Sequence, residues 1–162
     1  MKMTFEIVCA AAIVAALSSV ASAGVITTAV GNGADAFVYY NSPNSNYGAY
    51  SSIGVKSDTF AIANSRKGYF RFDISRLVGP IESVAFELAY ASKSPDSGAD
   101  PSTYYVYGLS DGHAGEDWVE LDITWNNAPG NNRNSREGVI GSEATLLGTF
   151  DVRFSTIRPG DK

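Results

Sequence analysis

Residues Tyr69–Ser75 read YFRFDIS. Phe70, Phe72 and Ile74 alternate with Tyr69, Arg71 and Asp73. Side chains two apart on a strand share a face, so the pattern predicts a half-buried sheet. Ser83–Tyr90 repeats it, with Val84, Phe86, Leu88 and Tyr90 against Ser83, Ala85, Glu87 and Ala89. Outward from these two segments, Ala36–Tyr40, Ser51–Lys56, Thr103–Leu109 and Ala144–Phe154 read as further strands, and Trp118–Trp125 as a short strand with loop. Between them lie turn clusters: Gly31-Asn32-Gly33, Asn41–Gly48 (NSPNSNYG), Ala63–Gly68, Ser92–Ser102, Asp111–Glu116 and the Asn- and Gly-rich Asn126–Gly141. No stretch beyond residue 23 carries a helical period. Six or seven short strands with turns between them predict an all-β sandwich or barrel.

The chain has 162 residues, enough for one domain. With 44% hydrophobic and 18% charged residues it is not a disordered chain. Twelve basic residues against seventeen acidic ones leave a net charge of −5, the wrong balance for a nucleic-acid partner. Met1–Ala23 reads as a secretory signal peptide. Lys2 supplies the positive start, Ile7–Val20 is apolar apart from Ser18 and Ser19, and Ala21-Ser22-Ala23 fits the cleavage pattern. A membrane anchor needs about 20 apolar residues, more than this run provides. Cys9 falls inside the segment, so the exported chain has no cysteine and must be held by packing alone. Nothing after the signal reads as a membrane span. Residues 24–33 form a lead, and 34–162 the β domain.

Several pieces occur together in a recognisable order. They are Ala34–Gly48 (ADAFVYYNSPNSNYG), Arg66–Ser75 (RKGYFRFDIS), Ile81–Tyr90 (IESVAFELAY), Val106–Trp118 (VYGLSDGHAGEDW) and Ile123–Gly130 (ITWNNAPG). Over about Ala34–Phe150 the chain resembles the DNRLRE-domain proteins, also described as the family-96 type of carbohydrate-binding module. The resemblance implies a jelly-roll-like antiparallel β-sandwich secreted by a bacterium. It also implies attachment to a polysaccharide-degrading enzyme or to a surface protein with a sorting signal. Such proteins continue past the Leu147–Phe150 strand with roughly three more strands and a Ser-Arg-Glu-like motif. Ser135-Arg136-Glu137 stands too early to be that motif. The expectation is therefore a domain lacking its last strands, with a naturally shorter variant as the alternative. Missing strands would expose sheet edges and apolar residues such as Phe70, Phe72 and Phe86.

Catalytic chemistry has little support. His113 is the only histidine, and there is no Gly-x-Ser-x-Gly elbow. Gly31-Asn32-Gly33 lacks the ending of a phosphate loop. Glu116, Asp117, Glu120 and Asp122 cluster beside Trp118 and Trp125, a glycosidase-like composition. Loop carboxylates more often cap turns, and an opposed pair usually comes from different strands. No cofactor is implied, although a structural Ca²⁺ is compatible with the loop oxygens, with Asp35 and Asp73 as candidate ligands.

Binding has more support. A sugar offers an apolar face ringed by hydroxyls, which suits an exposed aromatic and planar polar groups. Tyr39, Tyr40, Tyr47, Tyr50, Tyr69 and Trp118 are the candidate platforms, with packing the commoner fate of each. Tyr47 is expected to pack its turn. Trp125 is expected to anchor the loop that follows, with Asn126 and Asn127 bonding locally. Alternation points Tyr69 away from the Phe70 face. Lys56, Arg66, Lys67, Arg71 and Arg76 fall within 21 positions, opposed there by Asp58 and Asp73 alone. If the strands carrying Lys56 and Arg71 pair, they form a basic strip able to grip uronate carboxylates, since arginine binds a carboxylate through two parallel hydrogen bonds. The reading is a secreted, non-catalytic module for a polysaccharide, of which an acidic one such as alginate is a reasonable class. Its candidate site is Lys56, Arg66, Lys67, Tyr69 and Arg71, with Trp118 as a separate aromatic. The alternatives are a structural or adhesive module of the cell surface and, behind it, a polysaccharide-active enzyme.

Overall fold

The computed structural model describes residues 24–57, 62–78, 80–81, 83–92, 100–112 and 117–162. The expected signal peptide, Cys9, Asp58, His113 and Glu116 lie outside the described residues. The fold is all-β, and among the described residues the one helical element is a 3-10 turn at Ile62–Asn64. Four strands form two antiparallel sheets. β1 (Ala34–Tyr39) pairs with β2 (Arg66–Arg71), and β3 (Ser102–Leu109) pairs with β4 (Ala144–Val152). The described residues thus carry four strands in two two-stranded sheets, against the eight strands of a jelly roll.

In the first sheet Ala36 faces Tyr69 and Val38 faces Lys67. The small residues Ala34, Ala36 and Val38 leave room for two indoles. With Trp118, Ile123, Trp125 and Ala128 they form the buried core. Trp125 is only 1% exposed. Segment 118–130 is a chain of turns that lies on this face. Asp122 N and Ile123 N both donate to Val119 O, and Ala128 N donates to Thr124 O. Gly130, at φ +66°, brings the segment against Leu109 of β3 and Ala144 of β4. Leu109 in turn packs on the core, so the segment joins the two sheets.

The opposite face of the first sheet is covered as well. Phe37 stacks on Tyr47 at 4.6 Å and meets Tyr50 edge-on. Gly68, opposite Phe37, makes that cover fit, because a Cβ there would stand 2.8 Å from Ile53 Cγ2. Asn46 fixes the covering loop by donating to Glu120 O at 2.7 Å and Ile123 O at 2.8 Å. β3 and β4 have a bulge between Val106 and Tyr107, and Tyr104 stacks on Phe150.

Four expected strands differ from the structure. Ser51–Lys56 contributes only a bridge from Lys56 to Arg66. The YFRFDIS strand starts earlier and ends at Arg71, because Asp73 accepts from Asn32 N and Ser75 N and turns the chain. Ser83–Tyr90 forms no strand, and Tyr90 exchanges backbone hydrogen bonds with Gly160 and Asp161. The segment's apolar residues are bare, Val84 being 82% exposed, and Phe72 and Phe86 contact each other at the surface. Trp118–Trp125 contains turns and no strand. Lys162 forms an ion pair with Glu87.

Candidate functional site

The strip expected from Lys56 to Arg71 divides between two faces of β2. Alternation puts Lys67, Tyr69 and Arg71 together, as the sequence implies, but their face is the inner one. The Lys67 ammonium lies 4.8 Å from the Trp125 ring centroid. Tyr69 meets Trp118 edge-on at 6.0 Å, and the Arg71 guanidinium lies 5.5 Å from the same indole. Long amphipathic side chains can pack their stems and rings while their polar ends find partners, so a polar alternation need not face water. Tyr69 Oη donates to Pro129 O at 3.1 Å, and burial, aided by Glu143, pushes its phenol well above the ordinary range. Trp118 is buried in the core, 8% exposed.

Lys67 is the most heavily bonded of these side chains. Its Nζ donates to Asn131 Oδ1 at 2.8 Å, Ser135 O at 3.1 Å, Gly138 O at 2.7 Å and, more weakly, Asn132 O at 3.4 Å. Burial lowers its pKa from 10.5 to about 8, with Glu137 opposing. Lys67 thus clasps the 131–138 loop to the core. Trp125 also anchors that loop, its Nε1 donating to Arg133 O. Asn127 bonds locally, as expected, to Thr124 and Asp122, whereas Asn126 reaches across to Pro43 and Asn44.

Lys56 and Arg66 belong to the outer face. They exchange backbone hydrogen bonds at 3.1 and 2.8 Å. The Arg66 guanidinium lies 4.6 Å over the Tyr39 ring, and its buried Nε has no hydrogen-bond partner. Tyr39 meets Tyr47 at 6.3 Å, and Tyr47 meets Tyr50 at 5.4 Å. Tyr50 is 57% exposed. Three tyrosines therefore run side by side from an arginine toward solvent. Both ingredients were visible in the sequence, but only the Phe37–Gly68 pairing brings the NSNYG loop over the strand that carries Arg66.

Three members of the acidic cluster, Asp117, Glu120 and Asp122, are among the described residues. Glu120 accepts from Asp35 N at 3.1 Å, and Asp117 and Asp122 are exposed. Among the described residues no group of three or more His, Cys, Asp or Glu side chains gathers as metal ligands. Asp35 accepts from Thr28 Oγ1, and Asp73 accepts from two backbone amides. Among the described residues no helix is long and apolar enough to cross a membrane.

No curated protein and no solved structure matches the chain. The profile of carbohydrate-binding module family 96 matches residues 26–152, a span that holds both sheets, the Trp118–Gly130 segment and the tyrosine row. The chain therefore belongs to carbohydrate-binding module family 96.

Proposed function

We propose that the protein is an exported, non-catalytic module that binds an acidic, uronate-containing polysaccharide on the outer face of β1 and β2. The observation that carries this reading is the row Tyr39–Tyr47–Tyr50 beside Arg66 and Lys56. Tyrosine rings offer flat apolar surfaces with polar rims to successive sugars. Arg66 and Lys56 offer the charge that a uronate requires, and Arg66 does so with a guanidinium already oriented by Tyr39. Lys67, Tyr69 and Trp118 support this surface from the inner face rather than touching the glycan. The signal-like Met1–Ala23 accords with export toward an extracellular or surface-bound polysaccharide. Attachment to an enzyme or surface domain would raise the avidity of a weak site.

The test is a thermal melt of the protein alone and with alginate, polygalacturonate and neutral glucans. A ligand that binds only the folded state raises the melting temperature. The acidic polymers are expected to raise it at low salt and less at high salt. Arg66→Ala is expected to weaken alginate binding about tenfold while leaving the melt of the free protein nearly unchanged. A cooperative melt that no polysaccharide shifts would favour the structural or adhesive module instead.

A further inference from the structure

Where the chain leaves β2 there is a cleft of about 540 Å³. That volume falls within the roughly 300–1,000 Å³ common for small-molecule sites. Asn32, Arg71, Phe72, Asp73, Ile74 and Asp117 line it. The tyrosine row contributes nothing to it, so the two regions are separate.

The lining combines three features. First, the Arg71 guanidinium is fixed on one side, with Nε donating to Asn32 O at 2.8 Å and Nη1 to Trp118 O at 2.7 Å. A guanidinium has five N–H groups. Among the described residues the other three have no protein acceptor. Second, Asp73 is held by Asn32 N and Ser75 N, both at 2.9 Å, and Asp117 is exposed. Third, Phe72 and Ile74 leave apolar surface bare, at 36% and 56% exposure. Oriented donors, acceptors and an apolar wall in one cleft match a pyranose, whose hydroxyls both donate and accept.

Charge selects among sugars. Two carboxylates and one guanidinium line the cleft, and Arg76 acts on Asp73 from beside it, so a uronate would bring its carboxylate next to two others for no net attraction. Hydrogen bonds from Ser75 and Asn32 hold the Asp73 carboxyl down to about 2. A hydroxyl can accept from Arg71 and donate to Asp117 without that cost. We propose that the cleft formed by Asn32, Arg71, Phe72 and Asp117 is a second saccharide site, selective for uncharged sugar residues. The module then contacts a mixed or composite glycan at two points of opposite charge preference. This inference does not depend on the tyrosine row, and either site can fail without the other.

The test is a titration of the ¹⁵N-labelled full chain, followed by amide shifts. The probes are mannotetraose and cellotetraose as neutral sugars, an alginate tetrasaccharide as the acidic one, and CaCl₂ alone. A neutral tetrasaccharide is expected to move the amides of Asn32, Phe72 and Ser75 saturably, with a Kd in the millimolar range, and to leave Tyr39 and Tyr50 in place. The alginate tetrasaccharide is expected to do the reverse. Phe72→Ala, at an exposed position, is expected to weaken the neutral titration about tenfold. Asp117→Asn, which keeps the shape, is expected to weaken it by a smaller factor. The proposal is overturned if neither neutral sugar moves the cleft amides, or if Phe72→Ala leaves their titration unchanged. It is also overturned if alginate or Ca²⁺ moves those amides and the neutral sugars do not. Failure of alginate at Tyr39 and Tyr50 alone would count against the tyrosine row and leave the cleft standing.

Discussion

At the scale of single residues, two charges differ sharply in purpose although both lie on β2. Arg66 borders the tyrosine row, whereas Lys67 points the other way and holds a loop in place by four oxygens. Replacing Lys67 with methionine would keep the stem on Trp125 but leave the buried Asn131 and three carbonyls short of a donor. The expected cost is about 2–3 kcal/mol, read as a lower urea midpoint at unchanged slope. Asp73 carries a pH signature. The Ser75 side-chain hydrogen bond, then the Asn32 backbone amide, hold its carboxyl down from 3.8 to about 2. A folded pKa below the unfolded one contributes stability above 3.8, and that contribution disappears as pH falls toward about 2. The melting temperature should therefore drop through that window, and Asp73→Asn should flatten the drop.

At the scale of elements, the first sheet is unusual in being covered on both sides by irregular chain. Trp125 is the more deeply buried indole of the inner cover and touches Tyr40, Lys67 and the 131–133 loop together. Trp125→Ala is expected to cost about 3–5 kcal/mol, a large share of the roughly 5–15 kcal/mol that stabilises an ordinary domain, and so to lower the melting temperature sharply. The outer cover depends on Gly68. Gly68→Val would force Ile53 and Val55 outward. Overpacking of this kind costs about 1–3 kcal/mol. Because the displaced segment adjoins Tyr47 and Tyr50, alginate binding should weaken along with stability, whereas Arg66→Ala should weaken binding alone. Comparing the two variants separates support of the surface from contact with the glycan.

For the whole molecule, the balance of covered and bare apolar surface is uneven. The core gathers around Trp118 and Trp125, while Val84 is 82% exposed and Leu147 69%. Most of β4 is exposed. Bare apolar strand faces favour association. The protein should therefore scatter light increasingly with concentration. Val84→Lys with Leu147→Lys should suppress that scattering while shifting the melt little, since neither residue is in the core. Light scattering at several concentrations, beside the melt, checks both statements.

Much of this architecture was legible without coordinates. Alternating residues, turn clusters and the absence of a helical period are local properties, so they specified an all-β chain and positioned β1, β3 and β4 closely. The ordered motifs from Ala34 to Gly130 pointed to the family for the same reason. Local alternation also grouped Tyr69 and Arg71 correctly on one face. It could not say which face is inside, because that depends on the distant Trp118–Gly130 segment choosing the side where Ala34, Ala36 and Val38 leave space. Tertiary packing thus turned Lys67 and Tyr69 toward the core and brought Tyr47 and Tyr50 beside Tyr39 and Arg66. Burial is decided by residues far apart in the chain, and the accessible binding surface is what burial leaves over.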